Sequence, residues 1–222
     1  LGPETAPFNE DLYFAKLTWD ISMDDRVEFS MKRREEEGRT DVGNRTTASA
    51  SKINFNTDDR YDLRWIHYGA SFINEARITY EDSLFNPAPY NIGNQSVYTR
   101  GINANDVLVQ SDSTSSLAIQ RKGQKGPAFQ DDITFNALQW NGDHVIKAGV
   151  KYKSVELTQS ENSALNPSIR YSVNDGSLPA SPLTPVGTNA IPYQVNFNAP
   201  FAGASPIVVT TSRQFGIYIQ DD

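Results

Sequence analysis

The feature that most constrains this chain is an alternation of apolar and polar residues with period two, the pattern of β-strands with unlike faces. In the first such segment Tyr13, Leu17 and Trp19 share one parity, while Lys16 and Asp20 have the other. The alternation recurs along the chain, and we place strands near residues 12–21, 26–34, 52–67, 72–81, 128–138, 144–157 and 213–220. An all-β fold is therefore predicted.

The connections between these strands are of two kinds. Short turns are predicted at 22–25, 68–71 and 140–143, the last containing the Asn-Gly pair that favours tight hairpins. Long polar connections lie at 35–50, 83–127 and 158–211, and weaker strand signals within or near them (107–110, 169–173, 193–197) are interpreted as strand extensions above a membrane. A meander with short turns at one end and long loops at the other is typical of an antiparallel transmembrane β-barrel.

The two strand faces support this interpretation. One face carries charged residues such as Glu28, Arg77 and Lys151, as expected of a water-filled lumen. The opposite face is predicted to contact lipid at Leu17, Phe29, Leu63, Ile78, Phe135 and Val150. Strands of about ten residues are long enough to cross a bilayer at a tilt. The three Trp residues (Trp19, Trp65, Trp140) lie near the short turns, which predicts an aromatic girdle there.

Composition excludes several functions. A net charge of −7 argues against a nucleic-acid partner, and the absence of Cys excludes Cys-ligated metals. His67 and His144 are the only histidines, and neither belongs to a catalytic motif, so we expect no enzyme activity, no metal site and no cofactor. The sequence has no apolar run of the roughly 18 residues that a membrane helix needs.

Several strand segments resemble those of a known family. Phe14-Ala15-Lys16-Leu17-Thr18-Trp19, the segments at 74–80, 129–135 and 144–152, and the final stretch at 214–222 are similar, in this order, to barrel strands of TonB-dependent receptors of the Oar-like group. The resemblance covers most strand positions and none of the long loops.

The resemblance implies that residues 1–222 are part of a barrel of about 22 strands, whose N-terminal plug domain is not present in this segment. It further implies a transporter in the outer membrane of a Gram-negative bacterium, which imports a nutrient ligand with energy from the TonB complex, acting through the plug. The expected partners are the bilayer, lipopolysaccharide, the rest of the barrel with its plug, and an unknown ligand. We also expect the first and last strands to pair with protein outside this segment rather than with each other.

Substrate contacts are predicted from the aromatic residues of the long connections, because aromatic side chains carry much of the energy at recognition surfaces. They are Phe85, Tyr90, Tyr98, Tyr193, Phe197 and Phe201. Packing of these rings within the loops is the competing interpretation. Two other functions also remain open at this stage: a passive porin-like outer-membrane barrel, and a soluble β-sandwich module that binds carbohydrate.

Overall fold

The computed structural model describes residues 4–114, 119–139, 141–162, 166–173, 191–197 and 207–221. Within them the chain is almost entirely β-structure, apart from one short 3-10 turn, Ala48–Ala50. The strands are β1 Phe8–Asp20, β2 Asp25–Thr40, β3 Lys52–Tyr68, β4 Phe72–Pro89, β5 Gln95–Arg100, β6 Val107–Ser111, β7 Ile119–Gln139, β8 Asp143–Asn162, β9 Ser168–Val173, β10 Ile191–Asn196 and β11 Ile207–Asp221. No helix in the described part of the chain is long and apolar enough to cross a membrane.

The principal sheet has seven strands in the order β1-β2-β3-β4-β7-β8-β11. Every neighbouring pair in it is antiparallel, which confirms the predicted fold class and the seven predicted strands. Within the described residues β1 pairs with β2 and β11 pairs with β8, so these two strands form the edges of the sheet. They are not paired with each other, as expected.

The three short turns lie at one end of the principal sheet, as predicted. The β1–β2 turn closes on Asp25, whose backbone oxygen accepts a hydrogen bond from the Ile21 amide. The adjacent turns are joined as well, because the Tyr68 amide donates to the Asp24 oxygen and the Asn136 amide donates to the Ser71 oxygen. The other end of the sheet therefore carries all the long connections.

The strands are longer than predicted, and the long connections are correspondingly shorter. β2 runs for 16 residues, β7 for 21 and β8 for 20, so the predicted loops at 35–50, 83–127 and 158–211 begin or end inside strands. These polar extensions are held by backbone pairing and by ion pairs such as Lys125–Glu156, at 3.2 Å. Because charged residues occupy both faces there, the period-two signal fades while the strands continue.

A second, four-stranded sheet corrects the interpretation of the weak signals at 107–110, 169–173 and 193–197. These segments are β6, β9 and β10, which join β5 in the order β10-β9-β5-β6 instead of extending the principal sheet. The central pair, β5 and β9, is parallel. Small side chains are buried in it, with Thr99 0% and Ser172 1% exposed, so its rigidity comes from close backbone packing rather than from a large apolar core.

One face of the principal sheet is apolar through all seven strands. Residues paired directly across strands share a face, and one such row reads Leu17, Phe29, Leu63, Ile78, Phe129, Tyr152 and Phe215. Phe135 and Val150 lie on the same face, so all six residues predicted to contact lipid are on one side. These side chains are uncovered: Leu17 is 70% exposed and Phe215 73%. A soluble sandwich would cover such a face with a second sheet.

Candidate functional site

Aromatic residues mark two levels on the apolar face. Trp19 and Trp65 lie in one row near the short turns, 67% and 40% exposed, as predicted for a girdle at a membrane interface. Trp140, the third member of the prediction, lies outside the described residues. Farther from the turns, Tyr61 and Tyr80 face each other across β3 and β4 at the upper edge of the apolar rows. The apolar face therefore has the two aromatic borders of a membrane-spanning belt.

The opposite face, which we call the charged face, carries a chain of ion pairs at the depth of this belt. Glu28 accepts from Lys16 at 3.1 Å and from Arg64 at 3.3 Å, and Arg64 also binds Glu75, so strands β1 to β4 are linked. Single pairs of this exposure contribute little to stability. A network of them is suited to a wall that faces water or a polar partner.

A larger groove lies on the charged face beyond the belt, toward the long connections. We call it the upper groove; its volume is about 710 Å³. Its apolar contacts come from Phe85 on β4, Leu157 on β8 and Val208 on β11, which are 39%, 38% and 61% exposed. Apolar side chains exposed on an otherwise polar face are a sign of a ligand site, because concave sites combine apolar contact with a few placed polar groups.

The polar lining of the upper groove follows from strand register. Asn56, Phe85, Lys122, Gln159 and Val208 form one row across five strands. The next row, nearer the belt, contains Ser83, Gln124 and Thr210. The groove therefore offers amides and hydroxyls that can both donate and accept hydrogen bonds around its apolar contacts.

Charges at the β2–β3 side of the groove are mutually balanced. Asp58 accepts from Lys32 Nζ at 2.9 Å and from the Ser83 hydroxyl at 2.8 Å, and these hydrogen bonds hold the pKa of its carboxyl below the ordinary value. Arg34 donates to Glu10 at 2.9 Å. Asn56 donates to Glu36 at 2.8 Å, but its own Oδ1 is buried without a partner. That oxygen is a free acceptor at the groove.

Lys122 is the exception to this balance. It stands directly opposite Phe85, and it forms no ion pair with any residue that the structure describes. Its neighbour Lys125 is on the other face, where Glu156 is its partner. The centre of the upper groove therefore combines an aromatic ring, an unpaired ammonium group and flanking amides.

The structure brings one of the six predicted substrate residues, Phe85, into this groove. The Tyr90 ring lies under the Arg39 guanidinium, 4.0 Å from the ring centroid. Tyr98 stacks on Tyr171 with centroids 5.2 Å apart, and the Tyr193 hydroxyl is 2.9 Å from the Thr99 hydroxyl.

These contacts fit the competing interpretation of rings that pack the loop sheet together. Phe197 is 63% exposed and follows β10, whereas Phe201 lies outside the described residues. A ligand role for these residues stays a prediction. The two histidines lie near the short turns, where His67 contacts Asp25 at 2.8 Å and His144 contacts Asp221.

Sequence reasoning missed Leu157, Val208 and Lys122. The signal that locates them is parity: continuing the alternation of β8 and β11 past the belt places Leu157 and Val208 on the face where polar residues are expected. An apolar residue on the wrong parity is therefore a better guide to the groove than an aromatic residue in a loop.

The fold can be compared with solved structures now that its geometry is established. The crystal structure of the outer membrane transporter YddB from Escherichia coli superposes on 96% of this chain with a TM-score of 0.62. The fold is that of an outer-membrane barrel wall. Sequence identity is 11%, and the chain spans about a quarter of that transporter's length. No family model matches the sequence, and no curated protein is detectably similar to it.

Proposed function

We propose that the chain is part of a TonB-dependent receptor, an active importer in the outer membrane of a Gram-negative bacterium. The observation that carries the proposal is a seven-stranded antiparallel wall with an apolar belt on one face and ion pairs on the other, with its long connections at one end. The likeness to a transporter's fold supports the same assignment. We propose no enzymatic role.

In this proposal the apolar face contacts lipid and the charged face lines the lumen. The long connections lie outside the cell, close to lipopolysaccharide, and the upper groove receives a nutrient ligand before it enters the lumen. Transport itself depends on a plug and the TonB complex. A passive porin-like barrel has the same wall, and dependence on TonB separates the two functions.

Genetic tests in the native host address the importer directly. The gene and the tonB gene are deleted separately, and growth is measured on a panel of single nutrients that includes saccharides, peptides and iron–siderophore complexes. The importer predicts at least one nutrient whose use is impaired by either deletion. A nutrient that requires this gene but not tonB would instead support the porin. If no nutrient requires both genes, the proposal is wrong.

The role of the upper groove is tested with the nutrient so identified. Lys122→Gln and Phe85→Ala, introduced into the full-length protein, are expected to lower its binding about tenfold each, which corresponds to roughly 1.4 kcal/mol. Lys125→Gln is the matched control, because Lys125 is three residues away on the same strand but on the other face. Equal losses in Lys122→Gln and Lys125→Gln would place the ligand elsewhere.

A further inference from the structure

A smaller groove on the charged face, of about 160 Å³, lies at the depth of the apolar belt. Arg77, Gln130 and Lys151 are paired directly across β4, β7 and β8 at this groove. On its other side Arg77 is paired directly with Arg64. Like charges opposite each other on neighbouring strands are destabilising, so this arrangement is costly unless something else offsets it.

Carboxylates of the described sheet do not balance these cations. Glu75 binds Arg64 and is also the acceptor for Arg77, at 3.3 Å. Lys151 forms no ion pair within the described residues, although Lys153, two positions along the same strand, is held by Glu81 at 2.9 Å. The groove therefore has an excess of positive charge centred on Arg77 and Lys151.

Size and depth restrict what can neutralise this charge. The groove is less than a quarter of the volume of the upper groove and fits a carboxylate side chain rather than a nutrient molecule. The neighbours of Arg77 and Lys151 along their strands, Ile78 and Val150, lie in the apolar belt on the other face. The neutralising group must therefore approach from the charged face, within the thickness of the membrane.

We propose that Arg77 and Lys151 dock an Asp or Glu side chain of a polypeptide segment that lies against the charged face inside the barrel. Gln130, between them, donates to Asp132 at 2.6 Å and leaves its amide oxygen for the docked segment. Charge complementarity identifies the partner as an acidic protein surface. The inference rests on the proposed function, because it takes the charged face to be the lumen wall.

Channel recording on the full-length protein tests the docking. Purified protein is inserted into planar lipid bilayers in KCl, and the conductance of wild type is compared with that of Lys151→Glu. Repulsion of the docked carboxylate is expected to raise the conductance at least tenfold, and Lys151→Gln is expected to be intermediate. The matched control is Lys122→Glu, which changes the charge equally on the same face but above the belt, and it is expected to stay at the wild-type level.

Each outcome has one meaning. Folding of every variant is checked by its heat-modifiable mobility in gels, and Lys151→Gln decides the question if Lys151→Glu does not fold. A closed wild type with closed, folded variants overturns the docking site but leaves the importer standing. An open wild type removes the lumen occupant and, with it, the importer. A change in ion selectivity without opening shows a site for free anions and overturns the proposal.

Discussion

Replacing Leu63 by Arg measures whether the apolar face contacts lipid. Leu63 pairs directly with Phe29 and Ile78 and lies midway between Trp65 and Tyr61, so it is central in the belt. Its side chain is 46% exposed within the sheet, so little protein packing is lost on substitution. The cost is therefore that of placing a guanidinium in lipid, about 2–4 kcal/mol at the bilayer centre. The ratio of folded to unfolded protein falls about 30- to 700-fold.

The assay is guanidinium titration of the full-length protein refolded into lipid vesicles, followed by tryptophan fluorescence. Thr18→Arg is the control, because Thr18 lies at similar depth on the charged face, directly opposite Glu28. Its free energy of unfolding is expected to change by less than about 0.5 kcal/mol. If the two variants are destabilised equally, the two faces do not differ in environment, and the membrane-spanning interpretation of the sheet is refuted.

Two further predictions concern orientation and packing. A membrane-impermeant maleimide added to intact cells is expected to label Ile102→Cys, 60% exposed among the long connections, and not Met23→Cys, 97% exposed at a short turn; the reverse result inverts the orientation. Gly149→Ala is expected to cost about 1–3 kcal/mol, because its new methyl group would overlap the Tyr218 ring. Gly216→Ala, with no atom near the added methyl group, should be near neutral in the same unfolding titration; equal effects would contradict the packing.

The principal sheet was predictable because its alternation is maintained wherever one face meets lipid. Leu17, Ile78 and Val150 follow the parity that the sequence predicts, and the register of the structure brings them to one face. The strand ends were less predictable. Beyond the belt both faces meet water, so segments such as 119–127 carry no alternation and yet remain paired in β7.

The four-stranded sheet was not predictable from local pattern. Its central pairing joins Gln95 to Ser168, and each of its strands has only five or six residues. The candidate site was predicted in part: Phe85 was found by its aromatic character. Lys122 and Leu157 were missed because they lie on strand extensions that were interpreted as loop.

The parallel pairing of β5 with β9 has a consequence for how the cell surface is recognised. The two strands come from different long connections, and a third connection is fastened to them where the Thr47 amide donates to the Gln110 oxygen at 2.9 Å. Antibodies raised against folded protein are therefore expected to bind discontinuous epitopes. Antisera against any single loop peptide should stain intact cells poorly, because no one loop holds its conformation without the others.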